Sequence, residues 1–353
     1  MSTLDTPFEP ADSLARRFLI VERFGAFIGK HSERLRVSVK GELVQETPLL
    51  DLEHVLVCSS GVSLSADALR LCADRGIPVS FVTGRGEPYA MLFSPALTAT
   101  ILTRRQQLLA AEDPRGVALA QAFAIAKLKN QAGFLRYCAR SRQDARPELA
   151  RDLRDAAIEI EVAIDKIAAL RAPRIREVRQ QLLGYEAAGA KHYWEMAGRL
   201  LPAWTAWPGR AGRGATDLVN SCLNYCYGIL YTQVERALIL AGLDPYAGYL
   251  HEDRPGKPSL TLDLIEEFRQ PVVDRRVFAL LNLGVALRLD EQGRLDEPSR
   301  RRLAEEALRQ LDEQRRHGRH RRRLRSIIQT QARAIAAFLR GERPTYTGYV
   351  ERW

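Results

Sequence analysis

The sequence predicts an α+β protein, with an N-terminal β-rich, sandwich-like domain over residues 1–95 and a large all-α domain over residues 96–353. Before Pro95 the chain is a series of short β-branched and aromatic segments separated by turn residues, which is typical of strands. From Ala96 to Arg340 the apolar residues recur with the 3.6-residue period of amphipathic helices. This change of period places the boundary near residue 95, and a length of 353 residues suits two domains.

The β-rich part contains one predicted helix among its strands. Ser65 is a suitable N-cap residue, residues 66–74 form the body of the helix, and Gly76 ends it because glycine readily adopts the left-handed conformation. Strands are predicted at residues 18–21, 35–39, 43–47, 54–57 and 79–82.

The all-α part is predicted as a succession of helices joined by loops. Its most evident long loop, residues 201–214, is rich in Arg, Gly, Pro and Trp. The helices are predicted at residues 102–111, 116–140, 148–170, 175–199, 217–241, 260–267, 274–287 and 299–314.

The composition disfavours several classes of protein. An apolar fraction of 46% supports a folded core, and no uncharged apolar run approaches roughly 18 residues, so we expect no membrane span. The opening residues lack the apolar segment of a secretory signal. The five cysteines are odd in number and scattered, which favours reduced thiols in a cytoplasm over a disulfide framework. The sequence has no convincing Gly-rich phosphate loop, which disfavours a nucleotide-driven enzyme.

The net charge of +10 favours binding to nucleic acid, although part of the arginine excess could reflect genomic base composition. The highest density of cations is in residues 315–325, where Arg321, Arg322 and Arg323 are consecutive. Such a run is often only solvated. In a basic chain it is also a candidate for sequence-independent contacts with DNA phosphates.

One segment combines an imidazole, a basic loop and an acidic helix. His251 precedes a Pro- and Gly-rich loop, and in the next helix Asp263, Glu266 and Glu267 share one face because they are spaced i, i+3, i+4. Apolar residues take the opposite face. A histidine and carboxylates beside a cationic loop suit a divalent metal that acts on a phosphodiester. The spacing alone leaves open a solvated acidic helix face and a packed histidine.

Basic residues in two loops are candidates for contacts with phosphate. Arg254 and Lys257 follow the histidine, and Arg213 precedes the helix predicted from residue 217. The N–H groups at a helix N-terminus favour phosphate. An ordinary N-cap at Thr216 or Asp217 would explain the second loop equally well.

Glu195 lies in the helix predicted at residues 175–199. Lys191, Glu195 and Arg199 are spaced i, i+4, i+8, which is the spacing of a surface ion-pair stripe. From spacing alone, that is the preferred interpretation of Glu195.

Three segments resemble the signature of the CRISPR-associated spacer-acquisition endonuclease and integrase family of prokaryotic adaptive immunity. The similarity spans most of the chain and is densest over residues 191–284. The segments are Tyr193-Trp194-Glu195 after a run of small residues, RGATDLVNSCLNYCY at residues 213–227, and PYAGYLHEDRPGKPSLTLDLIEEFR at residues 245–269.

The resemblance implies a catalytic all-α domain that binds Mg²⁺ or Mn²⁺ through Glu195, His251 and Glu266. Asp263 is then a nearby or alternate ligand. A ligand set that is mostly oxygen with one imidazole suits these metals better than zinc.

The implied activity is that of a metal-dependent DNA endonuclease and integrase, which inserts foreign DNA fragments as new spacers into a CRISPR array by 3′-hydroxyl transesterification. The implied partners are double-stranded DNA with single-stranded ends, CRISPR repeat DNA, a second copy bound through the β domain, and a small ferredoxin-like CRISPR-associated protein. Two alternatives remain: a non-catalytic DNA-binding scaffold of the same complex, and a metal-dependent RNA nuclease.

Overall fold

A computed structural model describes residues 17–50, 52–92, 101–212 and 214–353. The described residues up to residue 92 are rich in strands and those from residue 101 onwards are mostly helical, which confirms the predicted α+β class. The boundary predicted near residue 95 falls within residues 93–100, outside the described residues.

Two four-stranded sheets make up most of the N-terminal part. The first is parallel except for its last strand, and its order is β1 (Phe18–Val21), β5 (His54–Val57), β7 (Val79–Val82) and β8 (Pro88–Leu92). The second is antiparallel except for its last strand, and its order is β4 (Glu42–Pro48), β3 (Arg34–Val39), β2 (Ala26–His31) and β6 (Ser63–Leu64). The sequence did not predict β2, β6 and β8, because Gly, Lys, Pro or Ser weakens their strand pattern.

The three parallel strands of the first sheet, β1, β5 and β7, are buried on both faces. Leu19 and Val55 face a core that is shared with the second sheet and with helix α1 (Ala66–Asp74). Leu56 and Cys58 belong to the core of the helical part. Burial on both faces is typical of parallel strands, and here it ties the β part to the helices. As predicted, Ser65 caps α1, since its hydroxyl accepts a hydrogen bond from the N–H of Ala68 at 3.1 Å.

The helical part contains all the predicted helices, with ends that differ by up to a few residues. In chain order the helices are α2 (Ile101–Ala110), α3 (Pro114–Arg140), α4 (Pro147–Ala169), α5 (Ile175–Leu200), α6 (Leu218–Leu240), α7 (Ser259–Ile265), α8 (Arg275–Asn282), α9 (Glu297–Asp312) and α10 (Leu324–Leu339). Helices α3, α4 and α5 pack against one another. A turn of π-helix, Arg269–Asp274, separates α7 from α8.

Two features near the C-terminus depart from the helical pattern. Residues 314–323 form an antiparallel hairpin of β9 (Gln314–His317) and β10 (His320–Arg323), with Gly318 at a φ of 61° in the turn. After α10, residues 341–353 cross the helical part without regular structure. The N–H of Glu351 donates to the side chain of Asn130 at 2.8 Å, and the rings of Trp353 and Phe134 lie 5.2 Å apart.

All five cysteines are buried and free, as their scattered positions predicted. Among the described helices, none is long and apolar enough to span a membrane.

Candidate functional site

Asp263 of α7 fixes the position of His251 in the loop that precedes the helix. Oδ1 of Asp263 lies 2.7 Å from Nδ1 of His251 and also accepts the backbone N–H of His251 at 2.8 Å. Oδ2 accepts the N–H groups of Tyr249 and Leu250 at 2.6 and 3.0 Å. Both oxygens of this fully buried carboxylate are therefore engaged. The arrangement assigns the ring proton to Nδ1 and leaves Nε2 as the free acceptor.

Glu266 follows the last residue of α7, and its side chain is buried between two cations. Oε1 lies 3.1 Å from Nε of Arg269, and Oε2 lies 2.8 Å from Nζ of Lys127 on α3. Burial raises the pKa of this carboxyl, but Arg269, Lys127 and His251 outweigh burial and lower the pKa to about 2. The carboxylate is therefore charged at neutral pH, and the effect of His251 on it places the imidazole nearby.

The same lysine contacts a second carboxylate, Glu186 of α5. Oε1 of Glu186 lies 2.7 Å from Nζ of Lys127, and the side chains of Glu186 and Lys127 are 13% and 16% exposed. Burial would lower the pKa of Lys127, but Glu266 and Glu186 outweigh it and raise the pKa. Both contacts are salt bridges between a carboxylate oxygen and the ammonium. Helices α3 and α5 and the turn after α7 thus converge on one cation.

The structure places Glu195 elsewhere on α5. Its side chain is 51% exposed and pairs with Lys191 at 3.8 Å. Nine residues separate Glu195 from Glu186, which corresponds to about two and a half helical turns, so the two side chains leave the helix on opposite faces. Glu186, rather than Glu195, therefore meets Glu266 across Lys127, and the ligand role of Glu195 stays a prediction that this geometry disfavours.

A signal for Glu186 is present in the sequence. The buried residues of α5 include Leu182, Gly189, Tyr193 and Ala197, which recur at multiples of three or four residues along one face of the helix. Glu186 lies in this apolar stripe, four residues after Leu182. A carboxylate in a buried stripe needs a partner in the interior, whereas one in a surface ion-pair stripe does not.

The acidic residues predicted to share a face on α7 are all buried, which excludes the solvated helix face left open by the spacing. Glu267 accepts hydrogen bonds from the Tyr346 hydroxyl at 2.5 Å, the Tyr349 N–H at 2.7 Å and the Gln331 amide at 3.0 Å. Burial raises its pKa to about 7, against the lowering effect of these donors. Glu267 therefore joins the C-terminal segment to the turn that carries Glu266.

Arg269 is held by the π-helical turn and by an aromatic ring. Its guanidinium lies 4.7 Å from the centre of the Tyr227 ring, and that of Arg210 lies 5.4 Å from the same ring. The Tyr227 hydroxyl donates to the buried carboxylate of Asp274, which also accepts from the Tyr193 hydroxyl at 2.7 Å. The hydrogen bond of its hydroxyl to Asp274 thus fixes the Tyr227 ring, and two arginines lie over the ring.

A cleft of about 1190 Å³ opens beside Arg269, between the β7–β8 turn, α6 and the loop after His251. Arg254 and Lys257, both predicted to contact phosphate, line this cleft, whereas Arg213 lies outside the described residues. The cationic lining residues are Arg85, Arg104, Arg254, Lys257, Arg269 and Arg294, and the acidic ones are Glu87, Glu235 and Asp244. The tyrosines that line it are Tyr89, Tyr227, Tyr231 and Tyr246. A groove with excess cations and aromatic rings is suited to a single nucleic-acid strand.

The predicted arginine run forms most of the β9–β10 hairpin. Arg321 and Arg322 are exposed on β10. Arg323 instead lies 3.8 Å from both Glu53 of the β part and Asp312 of α9. Two of the three predicted contacts are thus open to a ligand, while Arg323 helps to join the two parts of the molecule.

The residues around Lys127 fit a hard divalent cation. Across the described ranges no three His, Cys, Asp or Glu side chains are already gathered into a metal cluster, and the Lys127 ammonium stands between the two glutamates. Carboxylate oxygens that converge on one cationic group, with an oriented imidazole nearby, are donors that Mg²⁺ or Mn²⁺ accepts.

The comparisons with known proteins agree on one family. The profile described as CRISPR associated protein Cas1 matches residues 19–311. CRISPR-associated endonuclease Cas1 1 from Archaeoglobus fulgidus is 38% identical over 346 residues, which cover 95% of this chain and 99% of that relative. A solved casposase bound to its integration product has a TM-score of 0.79 at 22% identity and covers 94% of this chain and 92% of its own. A chain of a Cas6-RT-Cas1–Cas2 complex has a TM-score of 0.75 at 20% identity and covers 95% of this chain and 36% of its own. The two solved structures share the fold.

Proposed function

The chain belongs to the Cas1 family of CRISPR-associated proteins, and from this membership we propose that it is a metal-dependent DNA endonuclease and integrase of CRISPR adaptation. It would insert foreign DNA fragments as new spacers into a CRISPR array. The observation that supports this best is the convergence of Glu186 and Glu266 on one cation, near His251 and beside a cleft lined with arginines.

Glu186, His251 and Glu266 are the proposed ligands of Mg²⁺ or Mn²⁺, so Glu186 takes the place predicted for Glu195. When bound, such a metal polarises the scissile phosphate and stabilises charge on the attacking and leaving oxygens. Asp263 would orient His251 rather than bind the metal, because four hydrogen bonds already engage its two oxygens.

The proposed reaction is a transesterification. The 3′-hydroxyl of the captured fragment loses its proton and forms a bond to a phosphorus of the repeat DNA, while the bond from that phosphorus to the repeat's own 3′-oxygen breaks. The departing oxygen gains a proton. One phosphodiester replaces another, so no energy source is needed. The contribution of the protein is to position the strands and to neutralise phosphate charge, for which Arg269 lies next to Glu266 and lines the cleft.

DNA would follow two cationic surfaces. Arg254 and Lys257 would contact a strand in the cleft, whose tyrosines can stack on unpaired bases. The exposed Arg321 and Arg322 of the hairpin would add sequence-independent affinity for phosphates. Arg213, in the loop before α6, stays a prediction.

The proposed partners follow from the family and from the surface of the β part. Exposed apolar side chains there suit a second copy of the chain, and they include Phe24, Phe27, Leu43, Val44 and Leu50. The Cas6-RT-Cas1–Cas2 neighbour supports a small ferredoxin-like CRISPR-associated protein, Cas2, as a further partner. We place the reaction in the cytoplasm, where prokaryotic DNA lies.

The decisive experiment compares two glutamates of the same helix. Glu186→Ala should lower Mn²⁺-dependent strand transfer into repeat DNA by about a hundredfold or more, because it removes stabilisation of charge in the transition state. Glu195→Ala, whose side chain is exposed, should retain activity close to that of the unmodified protein. Gel-shift affinity for branched DNA should change little in both, because arginines supply it.

The opposite result, an inactive Glu195→Ala and an active Glu186→Ala, would overturn the ligand assignment. Metal-independent binding without any cleavage would favour the non-catalytic scaffold. Cleavage of RNA in preference to branched DNA under the same conditions would favour the RNA nuclease.

A further inference from the structure

Lys127 occupies the point at which the carboxylates of the proposed metal site meet. Its Nζ lies 2.7 Å from Oε1 of Glu186 and 2.8 Å from Oε2 of Glu266, and the side chain is largely buried. These oxygens belong to two elements that are far apart in sequence. The lysine therefore holds α5 and the turn after α7 at a fixed separation.

We propose that Lys127 is a positioning residue that competes with a divalent cation for the carboxylates of Glu186 and Glu266, so that metal binds tightly only when a DNA phosphate accepts the displaced ammonium. The proposal rests on the function proposed above. It adds that metal binding and DNA binding are coupled through one side chain, that of Lys127.

Charge balance supports this competition. The carboxylates of Glu186 and Glu266 are matched by Lys127 and Arg269, the latter 3.1 Å from Glu266. A divalent cation placed among the same oxygens would give the cluster an excess of positive charge and would repel an ammonium held at contact distance. Either the metal is bound weakly or the ammonium moves away.

The geometry allows the ammonium to move. Arg269 is fixed by its contacts with Glu266 and with the Tyr227 ring. Lys127 instead has a flexible four-carbon stem. Its ammonium is a compact charge that, unlike the planar guanidinium, can pair with an anion in many orientations. Buried ammonium groups need an acceptor, and the phosphate of a bound strand is the anion that the reaction itself supplies.

The test measures the affinity of the full-length protein for Mn²⁺ alone, by electron paramagnetic resonance of the free ion. Lys127→Met keeps most of the stem and removes the charge, so it should bind Mn²⁺ roughly tenfold more tightly than the unmodified protein. Lys129→Met is the matched control, because Lys129 is exposed two residues further along α3. It should leave the affinity unchanged. Lys127→Gln provides a second neutral variant if the methionine variant folds poorly.

The same titration is repeated with branched DNA present. DNA should tighten Mn²⁺ binding by the unmodified protein more than by Lys127→Met, so the difference between them should shrink. Equal or weaker Mn²⁺ binding by both neutral variants would overturn the competition. A difference that persists undiminished with DNA would overturn the role of the phosphate.

A further pair of variants separates this proposal from the function on which it rests. Glu186→Gln and Glu266→Gln should each weaken Mn²⁺ binding in the absence of DNA. If neither does, the metal site itself is wrong. If both do while Lys127→Met binds as the unmodified protein does, the metal site stands and only the role of Lys127 fails.

Discussion

Two buried glutamates, one in each part of the molecule, have opposite pKa shifts. Glu22, just after β1, is 9% exposed, and its Oε1 accepts no hydrogen bond from the described part of the chain. Burial raises its pKa to about 7, although Arg301 opposes the shift. Glu266 is only 3% exposed, yet Arg269 and Lys127 overcome its burial and lower the pKa to about 2. Contact with cations, rather than depth of burial, therefore decides whether an interior carboxyl keeps its charge.

This difference separates a structural carboxyl from a candidate ligand. A carboxyl that gains a proton in the interior can donate and accept hydrogen bonds, but it is a poor partner for Mg²⁺ or Mn²⁺. A carboxylate kept ionised by neighbouring cations is ready to exchange one cation for another. Glu267 lies between the two cases, since three donors hold it but none of the described Lys, Arg or His side chains forms a salt bridge with it.

The comparison is tested most strongly by neutralising Glu266. Glu266→Gln leaves Arg269 without its carboxylate and Lys127 with one instead of two, and unpaired buried charges are costly. We expect the free energy of unfolding to fall by about 3–5 kcal/mol in urea denaturation at neutral pH. Glu195→Gln, at an exposed position, should change it by less than about 0.5 kcal/mol. A loss as small as that of the control would mean that the two cations find other partners.

A smaller and pH-dependent effect is expected for Glu22. Its pKa is raised in the folded state, so the native protein binds the extra proton, and the stability this provides is lost as pH rises from about 4.5 to about 7. The shift corresponds to an effect on the order of 3 kcal/mol. In Glu22→Gln the decline should be smaller than in the unmodified protein but not absent, because Glu267, whose pKa is also raised to about 7, still contributes. Melting temperatures at pH 5 and pH 8 measure it, and a decline as large in the variant as in the unmodified protein would show that Glu22 does not contribute.

The smallest effect is expected at Glu267. Tyr346→Phe removes the hydroxyl that donates to Oε1 of Glu267, and we expect a loss of about 1–2 kcal/mol because a buried acceptor loses a partner. Tyr89→Phe is the control, since Tyr89 is 61% exposed. Urea denaturation at pH 7 compares the two variants. Equal stabilities would show that Gln331 and the Tyr349 N–H suffice to hold this carboxyl.

Most of the fold follows from periodicity. The long helices α3 to α6 were predicted nearly to their ends because of their apolar spacing, which Pro at the first turn supports in α3 and α4 and an Asp N-cap supports in α3 and α6. The β9–β10 hairpin was not predicted, since an arginine run carries no alternation of apolar and polar residues. Strand β2 was missed for a related reason, because Gly29 and Lys30 interrupt its pattern.

The candidate site was predicted in part. The grouping of His251, Asp263 and Glu266 followed from one short segment, and the structure brings His251 and Asp263 into contact. Lys127 and Glu186 could not be found in this way, because the pairing of α3, α5 and the turn after α7 is a tertiary arrangement. What the sequence does contain is a charged residue in an otherwise buried helical stripe. Such a residue indicates an interior site better than a cluster of charges on a surface does.

The C-terminal segment has a consequence for the order in which the site is assembled. Tyr346 and Tyr349 supply two of the three donors to Glu267, the neighbour of Glu266, and Asn130 binds the carbonyl oxygens of both Glu267 and Tyr349 at 2.9 Å. Tyr346 and Tyr349 are synthesised after all the helices and strands described here, because translation starts at the N-terminus. Domains fold as the chain emerges from the ribosome. A growing chain therefore carries a site whose last supports have not been synthesised. The turn that carries Glu266 is therefore expected to gain these supports only when residues 346–349 have been added.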